Sequence, residues 1–189
     1  FASTKDHTPA PGVIPYSVNA PLWSDNAIKD RFLAVPAGKQ IEFETVTYPQ
    51  PAPGSLPGWR FPGGTVLVKT FSLEMEPGNP DSRKRLETRL LHHERIPGSD
   101  EVGAQVWHGY TYVWNDEQTD AILLDKEGLD RVYTIKDPQA EGGLRQQKWH
   151  FPSRAECTLC HTMAAKYALG VTTAQMNKLH DYDGVVANK

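Results

Sequence analysis

Both cysteines of this 189-residue chain lie in one pentapeptide near its C-terminal end, Cys157-Thr-Leu-Cys160-His161. The spacing C-x-x-C followed directly by histidine is the pattern through which a chain takes up a c-type haem. On a helix, positions i, i+3 and i+4 share one face, so the three side chains can address one flat group. The thiols would form thioethers with the haem vinyl groups, and the imidazole of His161 would be the proximal iron ligand. We therefore expect one covalent haem c, with His161 as the metal ligand.

The sequence around the pentapeptide favours a helix. Ser153 and Glu156 fit a capping box, with the serine as N-cap and the glutamate at N3. Residues 162–169 continue with good helix formers, and Gly170 is a typical C-terminal stop. Two threonines before residue 174 predict a second helix over 174–180. The sequence thus predicts a haem-bearing helix pair, followed by an unanchored tail.

Two other uses of a cysteine pair compete with haem attachment. A zinc site needs four ligands, and because there is no second cysteine pair, His150 or His180 would have to complete it. A thioredoxin-like dithiol requires C-x-x-C at the end of a strand in a βαβ unit, and the upstream sequence lacks alternating strands and helices. Haem attachment is the preferred interpretation.

Size and charge limit the other function classes. At 189 residues and 39% hydrophobic content, the chain can form one substantial core, so we expect one domain over residues 1–189. Its 20 basic and 23 acidic residues are scattered without a basic stripe, which argues against nucleic acid as a partner. No segment has the length of a membrane span. The chain begins at Phe1 without an initiator methionine, so we expect an excised or mature segment. Because bacteria attach haem to such motifs outside the cytoplasm, a periplasmic or secreted location is expected.

The first 150 residues have the pattern of strands and loops. Glycine and proline number 15 each, and proline clusters mark loops rather than helices. The predicted strands are spaced as in an antiparallel meander and cover residues 39–48, 65–75, 86–94, 106–114, 121–124 and 131–135. The expected fold class is mainly β, an antiparallel sheet or sandwich over 1–150, with helices in 151–189.

Lys69 stands in an apolar row of the predicted strand 65–75. A period of two places it on the same side as Leu67, Phe71, Leu73 and Met75. Because a buried unpaired ammonium is costly, the side chain must reach an edge, pair with a carboxylate, or take part in chemistry.

The predicted strand 106–114 has an aromatic side formed by His108, Tyr110, Tyr112 and Trp114. Such a face is either ordinary core or a wall of the haem site, with Trp114 as the candidate contact. The polar segment that follows is either a plain turn or a source of a carboxylate for a distal pocket. Asp116 and Glu117 are the candidate acids there.

The sixth iron position is open to several residues. Met163 is excluded, because it lies two residues from His161 on the same helix and cannot reach the opposite haem face. The remaining candidates are His7, His92, His93, His108, His150, His180, Met75 and Met176. A position holding water or a small ligand is equally allowed.

Five segments carry a resemblance to a known family: NAPLWSD at 19–25, FPGGTVLVKTF at 61–71, ETRLL at 87–91, GYTYVWNDEQTDA at 109–121 and WHFPSRAECTLCH at 149–161. Together they resemble a family of exported bacterial c-type haem proteins without a settled role. Its modules are often joined to a second cytochrome c module or to quinoprotein sugar-dehydrogenase domains. The resemblance implies haem on Cys157 and Cys160, a redox setting in the periplasm or outside the cell, and a redox partner protein or attached domain.

A more distant resemblance connects the chain to cytochrome P-460 and the beta form of cytochrome c prime. The shared order is a β-rich body, an F-P-G-G-T-x-x-x-K strand and a late C-x-x-C-H. Both are β-sheet haem proteins with an open distal site. In cytochrome P-460 a lysine is bonded to the haem edge and hydroxylamine is oxidised, and Lys69 falls where that lysine would fall.

Three functions follow from these observations. The preferred one is an electron-transfer domain, in which axial ligand, burial and hydrogen bonding tune the haem. The second is a haem enzyme or gas binder, with Lys69, Trp114, Asn115 or Asp116 near a vacant iron position. The third is a carbohydrate-recognition module with a structural haem, using as stacking platforms Trp23, Trp59, Trp107 or Trp114.

Overall fold

The computed structural model describes residues 1–43, 58–95, 106–182 and 184–188. Within these ranges the chain is mainly antiparallel β, which confirms the general fold class predicted above. The strands are β1 Val13–Tyr16, β2 Ile28–Ala34, β3 Val66–Glu74, β4 Arg83–His93, β5 Trp107–Trp114, β6 Ala121–Leu123, β7 Leu129–Lys136, β8 Leu144–Phe151, β9 Leu179–Tyr182 and β10 Val185–Asn188. The helices are α1 Arg154–Cys160 and α2 Thr173–Met176, with 3-10 turns at Pro80–Ser82 and Glu141–Gly143.

Strands β1 to β6 form one antiparallel sheet in chain order, and β7–β8 and β9–β10 form two separate hairpins. The predicted strands from residue 65 onward correspond to β3 through β7, so the meander is confirmed for β3 to β6. Strands β1, β2, β8, β9 and β10 were not predicted. Strand β1 has four residues and includes Pro15, and charged and polar residues interrupt the apolar alternation of β2 and β8. In the predicted strand 39–48, the described part has an isolated bridge between Glu42 and Arg60, and residues 44–48 lie outside the described residues.

One face of the sheet, named here the Lys69 face, has a hydrophobic cluster at each end. The first cluster joins the sheet to hairpin β7–β8 and consists of Ala27, Phe71, Leu73, Leu86, Val113, Ile135, Trp149 and Phe151. The second joins the sheet to the C-terminal segment and consists of Tyr16, Val18, Leu33, Phe61, Leu67, Leu91, Trp107, Ala168, Val171 and Met176. Along β3, Leu67 belongs to one cluster and Phe71 to the other, so Lys69 lies between them.

Helix α1 begins as predicted but ends early. The capping box is present: the Ser153 hydroxyl accepts from the Glu156 backbone N–H, and the glutamate accepts from the serine N–H. The helix stops at Cys160, and the predicted continuation to Gly170 is wrong. Lys166 and Tyr167 have φ of 55° and 57°, left-handed values that no α-helix accommodates.

The predicted helix pair is also corrected at its second member. Helix α2 has four residues, Thr173–Met176, in place of the helix expected over 174–180. Residues 179–182 form β9, which pairs with β10, so the described part of the tail is a hairpin rather than an unanchored end. No helix in the described ranges is long and apolar enough to cross a membrane.

Candidate haem-attachment site

Helix α1 lies directly against strand β5 at Gly109. A Cβ atom placed on Gly109 would be 2.6 Å from Cys157 Cβ and 2.9 Å from its Sγ. Side chains do not tolerate such distances, so this close approach of helix and strand requires glycine. Two residues along, Thr111 Oγ1 donates to the Pro152 carbonyl at 2.8 Å and fixes the start of the helix. Sequence reasoning missed Gly109 as a site residue, although a glycine inside an aromatic strand is a signal of close backbone approach.

Both cysteines are free thiols, and they differ in exposure. Cys160 is exposed, whereas Cys157 is partly buried between α1 and β5. Burial raises the pKa of the Cys157 thiol, partly offset by the charge of Arg89 and a hydrogen bond with Thr111. Cys157 is therefore a protonated thiol at neutral pH, and its environment does not activate it as a thiolate nucleophile.

His161 ends the helix and is oriented by the turn that follows it. Its Nδ1 is 2.5 Å from the carbonyl oxygen of Tyr167. Because a carbonyl can only accept, Nδ1 must carry the proton, which leaves Nε2 with its lone pair. Burial lowers the pKa of His161 and keeps the ring neutral. Metal-ligating histidines have this arrangement, in which one nitrogen donates to a fixed acceptor and the other binds the metal.

The donor set fits a c-type haem. Cys157 and Cys160 are unpaired thiols at positions i and i+3, and His161 follows as a neutral imidazole. The described residues contain no group of three or more His, Cys, Asp or Glu side chains placed to hold a metal ion by themselves. A protein-only zinc site built from the cysteines with His150 or His180 is therefore not supported within the described ranges.

The structure brings Lys69 into the neighbourhood of these residues. Its strand partners are Arg31 on β2 and Arg89 on β4, and directly paired residues project from the same face. The ammonium lies 5.5 Å from the centroid of the Phe71 ring, and the Arg89 guanidinium lies 4.5 Å from the same ring. Burial, followed by the charges of Arg31 and Arg89, lowers the pKa of Lys69 to about 8.

Electrostatic interactions connect this part of the sheet with Cys157 and His161 of the C-x-x-C-H segment. The charges of Lys69 and Arg89 both lower the pKa of His161, after the larger effect of burial. Arg89 likewise acts on Cys157. Lys69, Cys157 and His161 therefore lie in the same region of the Lys69 face.

Glu87 is the acidic member of this region and was not predicted. It is fully buried. Its carboxylate accepts from Arg89 Nε at 2.9 Å and Nη2 at 2.5 Å, and from Trp149 Nε1 at 3.1 Å. Burial raises the pKa of Glu87, while the hydrogen bonds from Arg89 act in the opposite direction. The sequence signal that could have identified Glu87 is the period of two in Glu87-Thr-Arg89, which places both charges on one strand face.

The other residues predicted to contact the haem do not lie near His161. Trp114 follows Val113 of the first cluster, so it projects from the opposite face, where Nε1 donates to Thr88 Oγ1 at 2.9 Å. Asp116 is exposed in the β5–β6 turn and pairs with Lys84 at 2.6 Å. Together with Glu117 it borders a groove of about 410 Å³ between that turn and β7. The structure therefore does not bring Trp114, Asp116 or Glu117 together with His161.

Several sixth-ligand candidates are held by other partners. Four histidines are hydrogen-bonded: His7 to Thr70, His108 to Glu94, His150 to Asp130 and Glu156, and His180 to Ser17. His93 stacks on Trp107 with ring centroids 4.6 Å apart, and Met176 is buried in the cluster that contains Trp107. His93 and Met176 therefore lie in the core of the Lys69 face, and Met75 packs against its first cluster.

Comparison with known proteins provides no family assignment. No protein-family model matches the chain, and no curated protein or solved structure matches it. A function must therefore be argued from the chemistry of the site.

Proposed function

We propose that the chain is a c-type cytochrome domain with one covalent haem on Cys157 and Cys160, acting in extracytoplasmic electron transfer. The observation that carries this proposal is the hydrogen bond from His161 Nδ1 to the Tyr167 carbonyl, next to two free thiols on the same short helix. It prepares Nε2 as a ligand in the manner of other metal-binding histidines. When bound, the haem would supply a one-electron redox centre.

The roles of the protein residues follow from their contacts. The capping box and Thr111 hold α1 in place, and Gly109 lets it approach the sheet. The Tyr167 carbonyl fixes the His161 ring and raises the basicity of Nε2, which tunes the potential of a bound metal. The two hydrophobic clusters surround the region and lower its effective dielectric constant. Export to the periplasm or outside the cell, and a redox partner protein or attached dehydrogenase or cytochrome domain, belong to the same proposal.

A second function, a haem enzyme or gas binder with an open distal site, is favoured by Lys69. Electron transfer does not need an amine of pKa about 8 within electrostatic range of His161. Such an amine can hold or release a proton near neutral pH, as acid–base chemistry on a small nitrogen or oxygen species requires. The resemblance to cytochrome P-460 points the same way. In this alternative Lys69 replaces Asp116 and Glu117 as the acid–base candidate.

The carbohydrate-recognition alternative has weaker support. Trp107 and Trp114 are buried and cannot stack on a ligand, and Trp59 is partly buried. Trp23 is 69% exposed, but one ring does not form a binding face.

Haem attachment is tested by intact mass after production in a haem-maturation-competent host. The expected mass is that of the chain plus one haem, with colour retained after denaturation. Cys157→Ser should abolish the two-thioether product. His161→Gln should retain haem but lose the native ferrous spectrum, whereas His108→Gln, in an exposed pair with Glu94, should retain both. A colourless wild-type protein would refute the proposal.

Carbon monoxide then separates the two haem functions. A ferrous spectrum that CO leaves unchanged supports electron transfer with six-coordinate iron. A CO-induced shift of the Soret band supports the open site.

A further inference from the structure

Three basic side chains form a row across the centre of the Lys69 face. Arg31, Lys69 and Arg89 are direct cross-strand partners on β2, β3 and β4, so all three project from the same face. Adjacent strands lie about 5 Å apart, so the row spans about 10 Å of backbone. We call Arg31, Lys69 and Arg89 the cationic row.

The positive charge of the cationic row is only partly balanced by nearby carboxylates. Among the described residues, Arg89 alone of the three has an ion-pair partner, the buried carboxylate of Glu87. Arg31 Nη1 donates to a neutral acceptor, the Lys29 carbonyl, at 3.2 Å. Lys69 has its cation–π contact with Phe71. Within ion-pair distance the three cations therefore face one carboxylate, that of Glu87. Asp30 acts on Arg31 from farther away, and Lys29 adds another positive charge near Lys69. A partly buried excess of positive charge costs free energy unless an anion joins it.

The surroundings of the row indicate which kind of anion fits. On β3, Lys69 separates Leu67 of one cluster from Phe71 of the other, so the row is bounded by apolar surface on two sides. At its β4 end it meets Thr111 of β5, the strand that contacts Cys157. A matching ligand is flat and apolar, is anchored near β5, and carries anionic groups at its far edge.

We propose that the cationic row binds carboxylate groups, and that these are the two propionates of the haem attached at Cys157 and Cys160. This inference rests on the proposed function. The thioether side of the group is anchored at α1, beside β5, and the row extends from there toward β2. Arg31, at the far end and with no carboxylate within ion-pair distance among the described residues, is the principal contact. Free oxyanions such as nitrite or sulfite share the same chemistry and are the competing source of the anion.

The test uses the haem-loaded protein and the variants Arg31→Gln and Lys69→Met. The matched control is Arg83→Gln, since Arg83 is also on β4 but is exposed and pairs with Glu74. Resonance Raman bands of propionate bending are the first readout. They should shift in the two row variants and stay at the wild-type position in the control.

The pH dependence of the reduction potential is the second readout. Loss of one nearby cation should raise the pH midpoint of propionate ionisation by about one unit or more. Arg31→Lys keeps the charge, so it should keep the midpoint near the wild-type value. If Arg31→Gln fails to fold, Lys69→Met still removes one charge of the row and provides the test.

The outcomes separate the inference from the function on which it rests. Covalent haem with shifted Raman bands in the row variants supports the assignment. Covalent haem with unchanged bands and midpoints in every variant overturns it and leaves the cytochrome proposal intact. Nitrite or sulfite could instead change the spectrum of the wild type but not of the row variants, while the propionate bands stay the same in all of them. In that case the cationic row binds a free oxyanion, and the propionate assignment is overturned. A wild-type protein without covalent haem overturns both proposals.

Discussion

Replacing Lys69 with methionine should stabilise the haem-free chain at neutral pH. The structure lowers the pKa of this ammonium from its ordinary value of 10.5 to about 8. Each pKa unit corresponds to 1.36 kcal/mol, so the folded state holds the charged lysine at a cost of about 3 kcal/mol. Methionine has a similar length and no charge, so Lys69→Met should recover much of this free energy.

The stability advantage of Lys69→Met over wild type should decrease as the pH rises. Below pH 8 the lysine is protonated in both the folded and unfolded states, and the full cost is present. Between about pH 8 and pH 10.5 the folded state is neutral while the unfolded state still binds the proton, so wild-type stability rises with pH. The advantage of Lys69→Met should therefore be largest at neutral pH and shrink as the pH rises through this window.

Urea unfolding of the chain produced without haem maturation measures this effect, at about pH 7 and about pH 9.5. Lys84→Met is the matched control, because its ammonium pairs with Asp116 and the substitution should be neutral or slightly destabilising. If Lys69→Met is no more stable than wild type at pH 7, or if its advantage does not decline at the higher pH, the electrostatic reasoning about the cationic row fails.

Three further predictions, the first with a matched control variant, concern the placement of α1. Gly109→Ala should force the helix off β5, cost about 1–3 kcal/mol and lower the haem-to-protein ratio measured by pyridine haemochrome. Gly142→Ala has open space around its Cβ but a φ of 74°, so it should cost about 1 kcal/mol and leave the haem ratio unchanged. Ser153→Ala removes the N-cap and should lower the free energy of unfolding by about 1 kcal/mol in urea titrations. The pKa of His150 is raised, first by its hydrogen bond to the Asp130 carboxylate. The stabilising effect of His150 is full below pH 6.5 and is lost as the pH rises through the raised value, so His150→Gln should destabilise the protein more at low pH than at high pH.

Each of these three has its own contrary result. Equal haem ratios in the Gly109 and Gly142 variants would show that close helix approach is not required for attachment. An unchanged unfolding midpoint in Ser153→Ala would mean that tertiary contacts hold the helix start. A loss of stability in His150→Gln that is greater at about pH 8.5 than at about pH 5.5 would contradict the sign derived from its carboxylate partners.

Local patterns predicted most of the features that depend on residues close in the chain. The spacing of Cys157, Cys160 and His161 predicts one helical face, and the capping box before it is confirmed. Strands β3 to β5 follow from alternation, because a half-buried strand repeats every two residues. The same logic failed at the end of α1, since the strong helix formers in 162–169 compete with the turn that presents the Tyr167 carbonyl to His161.

Only the tertiary structure decided which distant residues meet. Sequence alternation placed Lys69 on an apolar side, but the β2–β3–β4 register supplied Arg31 and Arg89 as its neighbours. The aromatic side of β5 suggested Trp114 as a haem contact, whereas the fold turned Gly109 toward Cys157 and Trp114 to the opposite face. The physical reason is that a helix and its caps arise from contacts within one or two turns of chain. Strand register and the pairing of faces arise from contacts between segments tens of residues apart, which no local pattern encodes.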